Sequence, residues 1–432
     1  MRHREAGRDT LAATGRRKTP LATAAVCAAA VLVAAAGCGS SGGGGASKQV
    51  AASAKQTIVF ATQGLGGEGA ASTAAVKAFE KLHPKITVQI QTLSPTGDVA
   101  LQQLQQRFIA GTSTPDVITS DVIWPPTFAR SQWIAPLDRF HPNTAAFFPG
   151  QMATGKYNGH VYAIPWFINA EGIYYRTDLV PTPPTTAQEL MTAAKNAMAK
   201  NKSLKEGLAF EGDKYEGSVT ALQSFGGNLD PSNINTPATQ QALAFMRSAI
   251  TSGIAPSAVT TWEEPNVESA WTSGQTAFAL NWPYVMAESQ TKPAVKGKTG
   301  WIPFPSATPQ ASLGGDDLVI NAKSTHQAAA WEFIQYLTSN DAQITRAINA
   351  GDPPSVQSAY NQQLFAKAPY YKQEVAVFKA ATPRPVTPVY PQISTQLQTM
   401  ISSVLSGATA PSAALSATAP TVKQLSQTVS SG

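Results

Sequence analysis

Cysteine is almost absent from this sequence. The 432 residues include two cysteines, Cys27 and Cys38, and both lie in a segment that reads as a removable leader. The rest of the chain therefore has neither a disulfide nor thiol chemistry. Histidine is also scarce, and the five histidines are scattered without the spacing of metal ligands. The sequence accordingly predicts no bound metal and no metal-dependent chemistry.

Charge is sparse, since only 13% of the residues are charged, and the formal net charge of +6 comes largely from the N-terminus. Residues 1–37 carry six basic and two acidic residues, which leaves 26 basic and 24 acidic residues in the remainder. A body so nearly neutral has no basic surface for nucleic acid, so we expect no nucleic-acid partner.

The length and apolar content of the body suffice for two lobes with separate cores. We expect a monomer.

Residues 1–38 have the pattern of a bacterial export signal. A basic stretch ends at Lys18, and the uncharged run Leu21–Ala36 that follows is shorter than the roughly 20 residues of a membrane span. The run into Cys38 resembles a lipobox, whose cysteine is acylated and becomes the mature N-terminus. Ala35 stands where leucine is usual, so cleavage without a lipid is the alternative. Residues 39–56, which begin with glycine and serine, are predicted to be a flexible tether.

The body begins with a β-α-β-α-β pattern. Apolar strands are predicted at Thr57–Ala61, at Ile86–Ile90 and at Asp116–Ile118, with amphipathic helices between them. This order predicts an α/β fold whose ligand lies at the carboxyl ends of the strands. A strand within residues 157–176 is expected to cross into a second lobe, and further helices are predicted at 186–200, 236–252 and 327–338.

Gly64–Gly69 matches the dinucleotide-binding pattern G-x-G-x-x-G and stands between a strand and a helix. The next strand, however, ends at Gln91 and Thr92 without the acidic residue that would hold a ribose. We therefore expect no cofactor here, and favour a loop that presents backbone amides and Glu68 to a cleft.

Several stretches resemble the extracellular solute-binding proteins of carbohydrate ABC importers, the maltose-binding-protein superfamily. They are Ala78–Val88, Gly111–Val117, Ile134–Asp138, Val161–Pro165 and Ile173–Leu179. A narrower resemblance to the trehalose/maltose-binding branch rests on Lys214–Gly217, Glu263–Pro265, Asn281–Tyr284, Leu313–Gly315 and Pro383–Val386. Together they extend over about residues 57–420.

The resemblance implies a two-lobe α/β periplasmic-binding-protein fold with a ligand cleft between the lobes. The N-terminal lobe is expected to comprise residues 57–164 and about 299–338. The C-terminal lobe is expected to comprise residues 165–298 and about 339–425.

The implied function is capture of a disaccharide or short oligosaccharide, trehalose or maltose above all, and its delivery to the membrane permease of an ABC importer. The protein would be held by its lipid at the extracellular face of the cell membrane. We expect no catalysis. The alternatives are the same fold with a non-sugar solute, or a secreted glycoside hydrolase. A hydrolase needs two carboxyl groups across the scissile bond, and neighbours such as Glu263 and Glu264 diverge.

Sugar recognition needs planar polar groups for the hydroxyls and aromatic plates for the C–H faces of the ring. The candidates are Asp121, Asn169, Trp282, Tyr284 and Arg384. Each has an ordinary alternative: a loop cap for Asp121, a surface turn for Asn169, core packing for the aromatic residues and a surface ion pair for Arg384.

The resemblance adds Glu68, Glu216, Glu264, Gly315 and Asp316 to the predicted ligand-binding set. This sequence differs from the trehalose/maltose-binding branch at two places, and these differences leave the identity of the sugar open. Asp316 stands where the branch often has tryptophan, and residues 98–102 lack the arginine often seen there.

Replacing Cys38 with Ser is expected to release the protein into the medium without changing its ligand affinity, because Cys38 precedes the tether. Cell fractionation and mass spectrometry of the mature N-terminus test this. A wild-type protein whose N-terminus is an unacylated residue other than Cys38 would contradict the lipid anchor.

Overall fold

The computed structural model describes residues 49–51, 53–64, 67–306 and 311–429. The predicted leader with Cys38 and most of the predicted tether lie outside these residues. Among the helices of the described part, none has the length and apolar character needed to cross a membrane.

Twelve strands are present in the described residues. They are β1 Gln56–Thr62, β2 Ile86–Thr92, β3 Val117–Asp121, β4 Lys156–Tyr157, β5 His160–Val161, β6 Ala163–Ala170, β7 Gly172–Arg176, β8 Glu206–Ala209, β9 Thr276–Asn281, β10 Thr299–Ile302, β11 Ser312–Ile320 and β12 Thr382–Pro383.

Fifteen α-helices are present in the same residues. They are α1 Glu68–Leu82, α2 Gly97–Ile109, α3 Pro125–Arg130, α4 Pro149–Thr154, α5 Ala187–Lys200, α6 Glu216–Ser224, α7 Pro237–Thr251, α8 Glu264–Thr272, α9 Tyr284–Ser289, α10 Gln327–Leu337, α11 Asn340–Ala350, α12 Gln362–Lys367, α13 Tyr371–Ala380, α14 Tyr390–Leu405 and α15 Pro411–Gln427.

Local chemistry explains where these helices begin and end. The Thr186 hydroxyl accepts a hydrogen bond from the Glu189 N–H at the start of α5, and Thr236 caps α7 in the same way ahead of a proline at its first position. Gly351 ends α11 in the left-handed conformation, with φ of 82°. The predicted helices at 186–200, 236–252 and 327–338 are confirmed to within two residues.

The first sheet has six strands in the order β12-β11-β3-β1-β2, and β6 pairs with the other side of β11. The strands β1, β2 and β3 are parallel, as the β-α-β-α-β pattern predicts, whereas β11 runs antiparallel to β3 and β6. Because β11 contacts three strands, residues far apart in sequence meet along it.

The second sheet has the order β10-β7-β9-β8. Only Glu171 separates the last residue of β6, in the first sheet, from the first residue of β7, in the second. Each sheet has its own buried core. Phe60, Phe79 and Trp166 belong to the first core, and Phe210, Phe278 and Leu397 belong to the second. The chain therefore has the predicted two-lobe α/β fold.

The structure differs from the predicted lobe bounds in three places. β6 lies in the first sheet through Ala170, and β10, from residue 299, pairs with β7 in the second sheet. Residues 339–383 were expected in the C-terminal lobe, but Ile344, Leu364 and Phe378 pack in the first core. The reason is that helical periodicity shows which face of a helix is apolar but not which sheet covers it.

Asp317, in the middle of β11, has a fully buried side chain. Its Oδ2 accepts a hydrogen bond of 2.9 Å from the Thr154 hydroxyl of α4, and its Oδ1 is buried without a partner. Burial raises the pKa of Asp317 to about 8, although the hydrogen bond from Thr154 opposes the rise. The folded protein therefore holds a proton on this carboxyl at neutral pH.

An Asp317→Asn variant is expected to be more stable than the wild type at about pH 8, by roughly 2–4 kcal/mol, and equally stable near pH 4. In the wild type, the raised pKa adds stability that is complete below the unfolded pKa and is lost as the pH rises to about 8. Urea denaturation at several pH values measures this. Asp341→Asn, at an exposed site, is the control, and a difference between Asp317→Asn and wild type that does not vary with pH would contradict the assignment.

Candidate functional site

A cavity lies where the ends of both sheets meet the N-termini of several helices. The residues of the first lobe that line it include Glu68, Asp121, Phe167, Asn169, Gly314, Gly315 and Asp316. Those contributed by the second lobe include Glu211, Asp213, Tyr215, Glu216, Glu263, Glu264, Trp282 and Tyr284. Arg384 lies between the two groups. All ten residues of the predicted ligand-binding set therefore line one cavity.

The first wall is built on β11 and its neighbours. Asp316 is the register partner of Asp121, the last residue of β3, and Gly314 is the register partner of Asn169 on β6. The Oδ1 atom of Asn169 is buried and has no hydrogen-bond partner. Asp316 faces the cavity while Asp317 faces α4, so these neighbouring carboxylates diverge as the sequence argument expects.

Two glycines of β11 are required by close contacts. A Cβ on Gly314 would lie 2.7 Å from the Trp282 ring, so the ring rests against bare backbone. Gly315 has φ of 101°, and a Cβ there would lie 2.2 Å from the Phe167 carbonyl oxygen. Gly314 therefore lets the Trp282 ring pack against β11, and Gly315 lets β11 lie close to the backbone of β6.

Arg384 is buried, with 3% of its surface exposed. Its guanidinium donates to Asp121 Oδ1 and to Glu216 Oε2, each at 3.1 Å. Burial alone would lower the pKa of Arg384, but Asp121, Tyr390 and Glu216 raise it above its usual value. The predicted alternative of a surface ion pair is wrong, because this pair is buried and joins the two lobes.

The second wall presents the first residues of three helices. Glu216 begins α6 and also accepts hydrogen bonds from the hydroxyls of Tyr390 and Ser394. Glu264 begins α8 and Tyr284 begins α9. Burial raises the pKa of Glu264, although a hydrogen bond from the Tyr284 side chain lowers it. The wall therefore combines carboxylates with an aromatic pair, Trp282 and Tyr284.

Glu68 begins α1 and lies next to Arg346, a residue that was not predicted from the sequence. Arg346 of α11 lies 3.9 Å from Glu68 and 2.8 Å from the buried Asp352. The guanidinium also lies over the Trp166 ring, 3.9 Å from its centroid. Arg346 sits in an ordinary amphipathic helix, so nothing local in the sequence marks it.

Glu211 and Asp213 were also missed. They follow the buried strand β8 and the buried Phe210, at the carboxyl end of a strand, which is the position that the fold rule marks for ligands. Burial and, to a smaller extent, the neighbouring Glu263 raise the pKa of Asp213 to about 6. Burial likewise raises the pKa of Glu211, with further increases from neighbouring carboxylates led by Glu264.

The cavity can thus accept many hydrogen bonds and can stack a planar ring against aromatic faces. Within the described residues, no group of three or more histidine, cysteine, aspartate or glutamate side chains is arranged to hold a metal ion. Carboxylates, an amide and aromatic rings in one concave site form a binding surface for a polyhydroxylated solute.

The chain is similar to known solute-binding proteins. The family model of bacterial extracellular solute-binding proteins matches residues 63–344. A probable ABC transporter-binding protein of Deinococcus radiodurans is 33% identical over 356 residues, which cover 76% of this chain and 84% of the relative.

Solved structures show the same fold. The maltose-bound MalE3 of T. maritima superimposes with a TM-score of 0.79 at 30% identity, over 85% of this chain and 99% of that one. The GacH receptor of Streptomyces glaucescens, solved unliganded and with acarbose, has a TM-score of 0.77 at 25% identity, over 85% of this chain and 98% of the receptor.

Proposed function

The chain belongs to the bacterial extracellular solute-binding proteins, and we propose that it captures a disaccharide or short oligosaccharide for an ABC importer. The observation that carries the proposal is the cavity itself. The aromatic residues Trp282 and Tyr284 and the polar residues Asn169 and Asp316 all line the same space. A pyranose has this pairing of an apolar face and a hydroxyl rim.

Support for a sugar of the maltose type comes from the maltose-bound relative of T. maritima, which is 30% identical, and trehalose is proposed from the sequence resemblance alone. The ten residues of the predicted set are proposed to bind this ligand. Their polar atoms accept from or donate to hydroxyls, and Gly315 brings backbone close to a ring because it lacks a Cβ.

The proposed mechanism is closure of the two lobes on the sugar. A ligand held by Asp316 in one lobe and Trp282 in the other favours the closed state by the difference between its affinities for the closed and open states. The closed surface is then recognised by the permease subunits. A lipid on Cys38 and a flexible tether keep the protein near those subunits at the outer face of the membrane.

The purified body is expected to bind a disaccharide with micromolar or tighter affinity, about −8 kcal/mol or better. Titration calorimetry with trehalose, maltose, sucrose and their longer homologues measures this. Clear heats with an amino acid or a polyamine, and none with any sugar of the panel, would replace the proposal with transport of a non-sugar solute.

Asp316→Ala is expected to weaken sugar binding by about 1–3 kcal/mol, roughly ten- to hundredfold, because sugar hydroxyls lose their acceptor. The melting temperature of the sugar-free protein is not expected to fall, since burial and the nearby Glu68 already raise the pKa of Asp316 well above its usual range. Calorimetry and thermal melts of the variant test both statements.

The matched control is Asp317→Asn, which changes the neighbouring carboxyl on the opposite face of β11. It is expected to keep the wild-type affinity. If Asp316→Ala instead keeps its affinity and loses stability, Asp316 is a structural residue and leaves the proposed site.

A further inference from the structure

The cavity is lined by more carboxyl groups than hydroxyl recognition requires. Eight of the residues that line it are carboxylates, and Arg384 is the only basic residue among them in the described part of the chain. Its guanidinium is already bonded to Asp121 and Glu216. Four of the other carboxyl groups lie together on the second lobe, in an acidic wall of Glu211, Asp213, Glu263 and Glu264.

Two members of the acidic wall, Glu211 and Asp213, are buried, whereas Glu263 is exposed and caps α8. Only 7% of Glu211 is exposed, and its Oε1 atom is buried without a hydrogen-bond partner. Asp213 is 8% exposed, and its Oδ1 atom is likewise buried without a hydrogen-bond partner. A buried carboxylate oxygen without a donor is unfavourable, so each of these atoms lacks a partner that a ligand in the cavity can supply.

The fold makes room for Glu211 at this position. A Cβ on Gly217, in the first turn of α6, would lie 2.1 Å from Glu211 Oε2. Glycine therefore lets the carboxylate lie directly against the start of the helix. Behind it, the buried Glu171 accepts hydrogen bonds from the hydroxyls of Ser224 and Thr220. No basic residue of the described part lines the cavity on this side, so Glu211 and Asp213 have no cationic partner across it.

A neutral sugar donates hydrogen bonds through its hydroxyls but brings no positive charge that would favour the ionised form of these carboxyl groups. A protonated amine does both, because an ammonium group has three donors and a positive charge. We propose that the cavity selects an amino sugar, a saccharide whose protonated amine is bound by Glu211 and Asp213 while Trp282 and Tyr284 stack on its ring. This inference rests on the proposed saccharide-binding function and specifies its ligand class.

Two matched pairs of disaccharides test the proposal: trehalose against trehalosamine, and diacetylchitobiose against chitobiose. Each pair differs in its free amine. In calorimetry at about pH 6.5, where a sugar amine is largely protonated, the amine-bearing member is expected to bind at least about tenfold more tightly. Equal or tighter binding of the neutral member overturns the inference and leaves the saccharide function intact. Binding of spermidine with none of the four sugars overturns both.

Glu211→Gln removes the charge and keeps the shape of the side chain. The ratio of amine to neutral affinity is expected to fall by about tenfold or more, because the amide no longer balances an ammonium group. Asp341→Asn, an exposed carboxyl on α11, is the matched control and is expected to leave the ratio unchanged. If Glu211→Gln weakens both members of a pair equally, Glu211 recognises hydroxyls and the amine assignment is wrong.

Discussion

The contacts of Arg384 hold the two lobes in one arrangement around the cavity. Arg384 follows β12, which pairs with β11 of the first sheet, while its guanidinium bridges Asp121 of that sheet and Glu216 of the second lobe. Removing one partner of such a buried ionic group leaves an uncompensated charge, at a cost of about 3–5 kcal/mol. Arg384 therefore joins α6 to the first sheet beside the cavity, together with the hydrogen bonds that Ser312 of β11 donates to Ser224 and Gln223 of α6.

Individual helices and strands could be predicted because they are determined by residues that lie close together in the sequence. Thr186 before α5 and the alternation along Ile86–Ile90 act within a few residues, so the sequence contains all that determines them. The lobe that receives α11 is decided by packing against α1 and the first core, which no local pattern records. For this reason the predicted bounds place residues 339–383 in the other lobe.

The residues of the candidate site also fall into those that local sequence marks and those that only the folded chain brings together. The residues found from sequence, such as Asp121 and Trp282, are adjacent to a strand end or a proline, where the backbone itself marks them. Arg346 was missed because its role depends on Glu68 and Asp352, which reach it only in the folded chain. Glu211 was missed because a carboxylate after a short strand usually faces solvent. Its burial is produced by α6, which packs over it at Gly217.

In the proposed binding site, the two kinds of carboxylate in the cavity would make different contributions to binding. Asp121 and Glu216 are oriented by Arg384 before a ligand arrives, so a ligand that contacts them loses little free energy in ordering them. Glu211 and Asp213 are buried without such a partner, and an ammonium group would replace the proton that burial favours on them. The paired carboxylates, Asp121 and Glu216, would therefore fix the shape of the binding site. The difference in binding free energy between an amine-bearing and a neutral ligand would arise at the unpaired carboxylates, Glu211 and Asp213.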